Sequence, residues 1–405
     1  MAKPICVLLT LTALAGCTAP WSKTRATFGD DLAFLEKHTD VITLAGQKGG
    51  AMVAVVPLYQ GRVMTSTADG PDGLSYGWIN RPEIASGKRQ PHINVFGGED
   101  RYWLGPEGGQ FSIFFTPGVP FDFEHWQTPE VLDWGGWQVI ERGTDRVHFR
   151  KMATLVNYSR TGFDVLLDRT VRLVDPAEVQ KGLGVELGPS IRAVAFESEN
   201  RLANVGRQPW EKATGLLSIW ILCMFTPSPG TTIVVPFVEG PEDKLGPIVN
   251  DAYFGKVPAD RLVIKDGVVF FKGDGKHRGK IGISRARAKP ILGSYDAQNR
   301  VLTLAQYSLP KDAKDYVNSM WEIQQHPYAG DVANSYNDGP PAPGVKPLGP
   351  FYELESSSPA AELRPGESVR HTHRTIHLQG PEEDLGRIAK ATLGVDLEEI
   401  RNAFR

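Results

Sequence analysis

The 405-residue chain is 41% hydrophobic and carries nine Trp and 18 Phe, enough apolar side chain for one large core or two modest ones and a composition outside the disordered class. Its 44 Lys and Arg stand against 47 Asp and Glu, a formal charge of −3. No long basic run breaks that balance, which excludes the electrostatic footprint of a nucleic-acid binder.

At the N-terminus, "MAKPICVLLTLTALAGC" places Lys3 before an apolar run from Ile5 to Leu14 and small residues before Cys17. This is the layout of a secretory signal, too short to span a bilayer. Leu14–Cys17 resembles a bacterial lipobox, which implies cleavage after residue 16 and lipidation of Cys17. Each buried acyl methylene contributes about 0.8 kcal/mol, so several chains hold a protein on a membrane. Thr18 stands where an inner-membrane retention signal usually carries Asp, so we expect an exported lipoprotein in the outer membrane, facing the periplasm or the cell surface. An ordinary signal peptide with an incidental cysteine is the alternative. Cys6 leaves with the signal and Cys17 is lipidated, so Cys223 stands alone in "SIWILCMF" as a core residue and no disulfide framework forms.

Residues 17–27 read as a tether, and "GDDLAFLEKH" as a short helix with Asp30 as its N-cap. From Val41 the pattern turns to strands. "AMVAVVPLYQGRVMTSTA" reads as two strands around a Gly turn, followed by "FDVLLDRTVRLVD", "TTIVVPF", "RLVIKDGVVFF" and "RVLTLAQYSL". With 43 Gly and 30 Pro the chain has the breakers that many turns require. Amphipathic helices return within 381–404, where Pro381 starts the first and Gly394 stops it. The expected fold class is all-β, one domain over 28–405 with short helical ends.

Four polar clusters interrupt the strands. "NVFGGEDRYWLGPEGGQFSIFF" sets Glu99, Asp100, Arg101 and Glu107 among Tyr102, Trp103 and five glycines, a mixture that suits the apolar faces and hydroxyl rims of sugars. A structural ion-pair network fits it as well. "FFKGDGKHRGKIGIS" carries Lys272, Asp274, Lys276, Arg278 and Lys280 without the spacing of a phosphate loop. It reads as a basic lining for a carboxylated sugar or as a solvated hairpin tip. "NSMWEIQQHPYAGDVANSYNDGPP" supplies Trp321, Glu322, His326, Tyr328, Asn337 and Asp338 as a wall of a polar-ligand pocket, although "NDG" is also good turn chemistry. In "LRPGESVRHTHRTIHL" the side chains of His371, His373 and His377 share one face of an extended strand. That makes His371 and His373 weak metal candidates, against the polar face of a sandwich strand. We expect no cofactor and leave metal dependence open.

"GPFYELESSSPA" then places Glu353, Glu355 and Ser357 on one side of a strand and Tyr352 and Leu354 on the other. With "LRPGESV" and the histidine strand it reads as a hairpin. Here the sequence resembles the galactose mutarotase-like, or aldose 1-epimerase-like, β-supersandwich. The likeness extends to "PLYQGRVMTS", "GGEDRYWLGPE" and "ENRLANVGRQPWEKATGLLSIWILCMFTPSPGTTIVVPF". These segments also look like a group of bacterial lipoproteins of unknown function with that fold.

The resemblance implies a glutamate near the C-terminus as base, here Glu353 or Glu355, and a histidine as proton donor. No segment reproduces the epimerase pattern around that histidine, so His326 is assigned by position alone. Glu99, Arg101, Trp103, Glu107, Lys272, Asp274, Trp321, Glu322, Tyr328, Asn337 and Asp338 are the expected sugar contacts. The expected function is acid/base chemistry on a sugar or glycoside, of epimerase, hydrolase or lyase type. A non-catalytic glycan-binding lipoprotein is the alternative.

Overall fold

The computed structural model describes residues 25–46 and 50–405. The signal sequence, Cys17 and most of the tether lie outside the described residues. Among the described residues no helix is long and apolar enough to cross a membrane.

The strands form three antiparallel sheets. A ten-stranded sheet runs in the spatial order Leu262–Lys265, Val268–Lys272, Thr231–Pro236, Ile291–Asp296, Val301–Tyr307, Ser368–Gln379, Arg192–Asn204, Gly162–Leu173, Arg146–Val156 and Gln138–Arg142. A five-stranded sheet faces it, ordered Gly279–Ser284, Asp331–Asn337, Tyr352–Ser357, Ser218–Phe225 and Arg101–Gly105. The third sheet comprises Ile42–Ala45, Met52–Val56 and Arg62–Thr67, and a bridge from Val63 to Asp100 joins it to the edge of the five-stranded one. The β-sandwich class expected from the sequence is therefore what the strands build.

Local chemistry explains the elements. Asp266 and Gly267, at φ 48° and 74°, close the Leu262–Lys272 hairpin with the Asp-Gly pair that such tight turns favour. The helix Glu382–Leu393 buries Leu385, Ile388, Ala389 and Leu393, one face at helical spacing, on the outer side of the ten-stranded sheet against Val234, Phe270, Leu304 and Ile376. Gly394 ends it at φ 79°. The first helix, Phe28–His38, starts one turn earlier than the sequence suggests: Thr27 is the N-cap and Asp30 completes a capping box from the third position.

One connection differs from expectation. The Tyr352–Ser357 strand and the Ser368–Gln379 strand are not a hairpin; they belong to opposite sheets, and the segment between them, with Pro359 and Pro365, crosses the sandwich. Both strands are wanted by their own layers. Tyr352–Ser357 pairs with Asp331–Asn337 and Ser218–Phe225, while Ser368–Gln379 pairs with Val301–Tyr307 and Arg192–Asn204.

The two strands meet face to face in a buried polar layer. Ser356 Oγ lies 2.8 Å from both His371 Nε2 and His373 Nδ1. Arg169 pairs with Asp100 at 2.5 Å, and Ser198 donates to the same carboxylate at 2.8 Å. Cys223 is a buried free thiol 3.4 Å from His373, in the core as expected.

Candidate functional site

The opposite, outer face of the five-stranded sheet floors a cavity. Alternation along each strand sends Arg101 and Trp103, then Trp220, Leu222 and Met224, then Glu353 and Glu355 to this side. Register aligns them into rows. Tyr336, Glu353 and Met224 face one another, as do Asn334, Glu355, Leu222 and Arg101, and then Ser357, Trp220 and Trp103.

Long cationic side chains cross these rows from the sheet edges. Arg101 reaches across the Ser218–Phe225 strand to donate to Glu353 Oε1 at 2.6 Å, and Lys280 reaches from the other edge to Glu355 Oε2 at 2.9 Å. The Trp220 indole N–H also donates to Glu355 Oε2 at 2.9 Å. Aromatic faces hold both cations: Arg101 lies 4.8 Å over Trp103, and Lys280 lies 4.6 Å over Trp220 and 5.4 Å over Tyr253.

Loops raise the walls. Ile93, Phe123 and Trp126 come from one side, Trp321, Leu348 and Phe351 from another, and Phe254 with Arg278 from a third, enclosing about 100 Å³ of free space. Glu107 joins them on a loop whose glycines have a specific use. A Cβ at Gly108 would sit 2.3 Å from Met320 O, and Gly109, at φ 83°, packs on the Gln324 amide. The glycine pair lets the loop close on the Trp321 segment, and Gln110 and Gln324 lock it with reciprocal amide bonds of 2.9 Å.

Two carboxyls therefore face one cavity, with a third behind its wall. Burial pushes Glu353 up to about 7, with Arg101 opposing and Glu355 adding to the rise. Burial likewise raises Glu107 to about 6, against the pull of Lys280. Burial works against the Lys280 ammonium, but Glu355 and Glu107 more than offset it and leave its pKa above the ordinary lysine value. Glu355 is fully buried beneath the cavity wall, so it anchors Lys280 and Trp220 rather than facing a ligand. Beside Lys280, Asp331 accepts from Tyr253 at 2.6 Å, and burial raises its pKa.

The structure brings Arg101, Trp103, Glu107, Trp321 and Glu353 together at this cavity, with Glu355 just behind it. The other expected site residues stand elsewhere. His326 and Glu322 are exposed on the loop outside the lining. Glu99 faces the inner layer, where it accepts from Ser66 and sits 2.9 Å from His377. Lys272 projects from the ten-stranded sheet onto Phe404. Asp274 pairs with Arg261 at 2.5 Å, Asn337 donates to His277 O at 2.8 Å, and Asp338 accepts from Tyr336 at 2.6 Å and from Gly349 N at 2.8 Å. These three are turn and strand-end chemistry, the alternative reading of their clusters. Tyr328 stacks on Phe111 and donates to Lys212 O.

The histidines are likewise structural. Burial pushes His371 down to about 3 and His373 down to about 4, so both are neutral hydrogen-bonding groups. Among the described residues no group of three His, Cys, Asp or Glu side chains is placed to hold a metal ion.

Sequence reasoning left Trp220, Tyr336, Phe254 and Trp126 out of the site, and did not separate Arg278 and Lys280 from their basic neighbours. Strand alternation carries a signal for some of them: Trp220 is two and four residues from Leu222 and Met224 on a strand that reads as uniformly apolar, and only its pairing partners reveal which side faces the cavity.

A search of the curated proteins finds no match to the chain. Solved structures do resemble it. A protein of Synechocystis sp. PCC 6803 is 14% identical, with a TM-score of 0.49 over 85% of this chain and 96% of that one. A galactose mutarotase-like protein from Lactobacillus casei ATCC 334 is 11% identical, with a TM-score of 0.46 over 84% of this chain and 100% of that one. A galactose mutarotase related enzyme from Lactobacillus acidophilus is 9% identical, with a TM-score of 0.46 over 84% of this chain and 97% of that one. Residues 26–404 match a single family across nearly the whole described structure, and the chain belongs to that family of unknown function, DUF6786.

Proposed function

We propose that the outer face of the five-stranded sheet is an acid/base site for a sugar, and that the protein is a carbohydrate-active enzyme. The observation that carries this reading is the convergence of two carboxyls with raised pKa values, Glu353 and Glu107, on one aromatic-lined cavity. A purely structural ion pair has no need of a cavity beside it. A binder of glycans needs the aromatic platform but gains nothing from carboxyls tuned towards neutral pH.

The two carboxyls act as one acid/base pair that holds a single proton in its reactive form, Glu353 bound to Arg101 at 2.6 Å and Glu107 in the place that the sequence gave to His326. Among the described residues no histidine lines the cavity. Glu355 is a positioning residue that fixes Lys280 and Trp220. The reaction is one that takes a proton from a sugar hydroxyl, carbon or water and delivers one to a sugar oxygen, which covers epimerisation, hydrolysis and elimination. Export and anchoring through Cys17, with an outer-membrane address, are part of the same proposal and rest on the N-terminal sequence.

The test is to incubate purified protein with reducing sugars, uronic acids and oligosaccharides and to follow anomeric and product signals by NMR. New signals or accelerated anomeric exchange that vanish in Glu353→Gln support the reading. A second reading, glycan capture without turnover, draws on a near-parallel stack of rings that runs from the exposed Phe123 to the buried Trp126 and on to Trp321, each pair 6.0 Å apart. It predicts binding that survives Glu353→Gln, with no product from either protein.

A further inference from the structure

Three cationic side chains line the cavity, and they are not equivalent. Arg101 is paired with Glu353 and Lys280 with Glu355. Arg278 makes no ion pair with any carboxylate of the described chain; its guanidinium lies 3.8 Å from the centroid of the Phe254 ring, half-buried at the cavity wall. The hydroxyl of its neighbour Tyr336 donates to Asp338, and the Arg278 charge draws the Asp338 and Glu107 carboxyls down without a direct ion pair to either. A guanidinium stacked on a ring has a fixed plane, and its in-plane N–H donors suit the oxygens of a carboxylate or phosphate.

Ordinary surface arginines extend into water, where an unpaired charge costs nothing. Arg278 is instead held over an apolar ring beside a cavity, and Phe254 itself packs edge-on against Tyr336 at 5.8 Å. The rest of the lining adds to the case. Arg101 Nε and Trp126 Nε1 are buried donors without partners, so the cavity offers more donors than the chain itself satisfies. Burial also raises the pKa values of Glu353 and Glu107, and every proton they retain near neutral pH leaves positive charge in excess.

Building on the sugar-site reading, we propose that the ligand is an acidic sugar whose anionic substituent, a carboxylate or a phosphate ester, is bound by Arg278 on its Phe254 platform. Neutral sugars would occupy the same floor without that contact.

The experiment is calorimetric titration of the purified protein at low ionic strength with glucose, glucuronic acid and glucose 6-phosphate, repeated on Arg278→Gln and Arg278→Lys. The expected result is at least about tenfold tighter binding of one acidic sugar than of glucose, about 1.4 kcal/mol. That ratio collapses towards one in Arg278→Gln and is partly kept in Arg278→Lys. Stronger binding of glucuronic acid assigns a carboxylate, and stronger binding of glucose 6-phosphate a phosphate. A preference that survives Arg278→Gln, or equal loss in both variants together with a lowered melting temperature, overturns the proposal. Glucose binding and turnover that depend on Glu353 but show no acidic preference overturn the Arg278 assignment and leave the sugar site standing. Absence of binding to all three sugars, with no turnover, removes both.

Discussion

The two faces of the five-stranded sheet bury the same kinds of residue to different ends. On the inner face, Asp100 accepts from Arg169 and Ser198, Glu99 accepts from Ser66 and contacts His377, and Ser356 bridges two histidines. Apart from the Thr375 hydroxyl, this layer satisfies its own polar side chains. On the outer face Arg101, Trp126 and Glu355 each keep an unpartnered polar atom, and Arg278 stacks on Phe254 without a direct ion pair among the described residues. Buried charge is therefore not by itself a mark of function. A closed network rigidifies the sandwich, whereas unpartnered polar atoms beside a cavity are what a ligand completes.

The largest effect that sharpens this contrast is catalytic. Glu353→Gln and Glu107→Gln should each lower kcat/KM by about 10²-fold or more, the usual worth of a positioned acid or base, in steady-state assays on the sugar that turns over. In the parent protein the reactive form holds one proton between the two carboxyls. The kcat/KM profile should then be bell-shaped, with limbs near pH 6 and pH 7 that belong to the pair. A flat profile between pH 5 and pH 9 would break the assignment.

On the inner face the large effect should be on stability. Arg169→Met leaves the Asp100 carboxylate buried without its cation and should cost about 3–5 kcal/mol in denaturant unfolding. A loss under about 1 kcal/mol would mean that the layer is not the closed network described here.

Smaller effects follow from pH. Folded His371 and His373 titrate below the ordinary histidine value of about 6.5, so their contribution is intact above that pH and is lost as pH falls towards 4. Glu353 behaves in the opposite sense. Its folded pKa lies above the unfolded one, so the stability linked to its protonated form is lost as pH rises towards 7. The stability difference between Glu353→Gln and the parent should therefore grow from pH 5 to pH 7, by on the order of 1 kcal/mol per pH unit. Melting curves across that range check the sign. The smallest change expected is in sugar binding by Trp126→Phe, which removes an unpartnered indole N–H: affinity reduced a few-fold, by about 0.5–1.5 kcal/mol.

Much of the architecture was legible because period-two patterning and turn residues are local. The strand around Glu353, its two faces and the shared face of His371, His373 and His377 follow from alternation alone. What alternation cannot supply is the partner across the gap. Glu99 and Arg101 lie two residues apart, yet the chain enters the Arg101–Gly105 strand between them, and one carboxylate goes inward while the guanidinium goes outward. Lys272 and Lys280 look alike in sequence, but they belong to different sheets, one packed on Phe404 and the other at the cavity. Asp274, Asn337 and Asp338 carried polar chemistry that their own turns consume. The Glu353 strand was separated from the histidine strand by sheet pairing, a long-range choice invisible in a segment that reads equally well as a hairpin.

The most direct test of the contrast between the two faces is a two-dimensional NMR titration that follows the tryptophan indole N–H signals as glucose or glucuronic acid is added. The account predicts shifts at Trp126 and Trp321, which line the cavity, with Trp137 and Trp210 unmoved. Shifts confined to Trp137 and Trp210, or none at Trp126 and Trp321 with sugar in large excess, would contradict it.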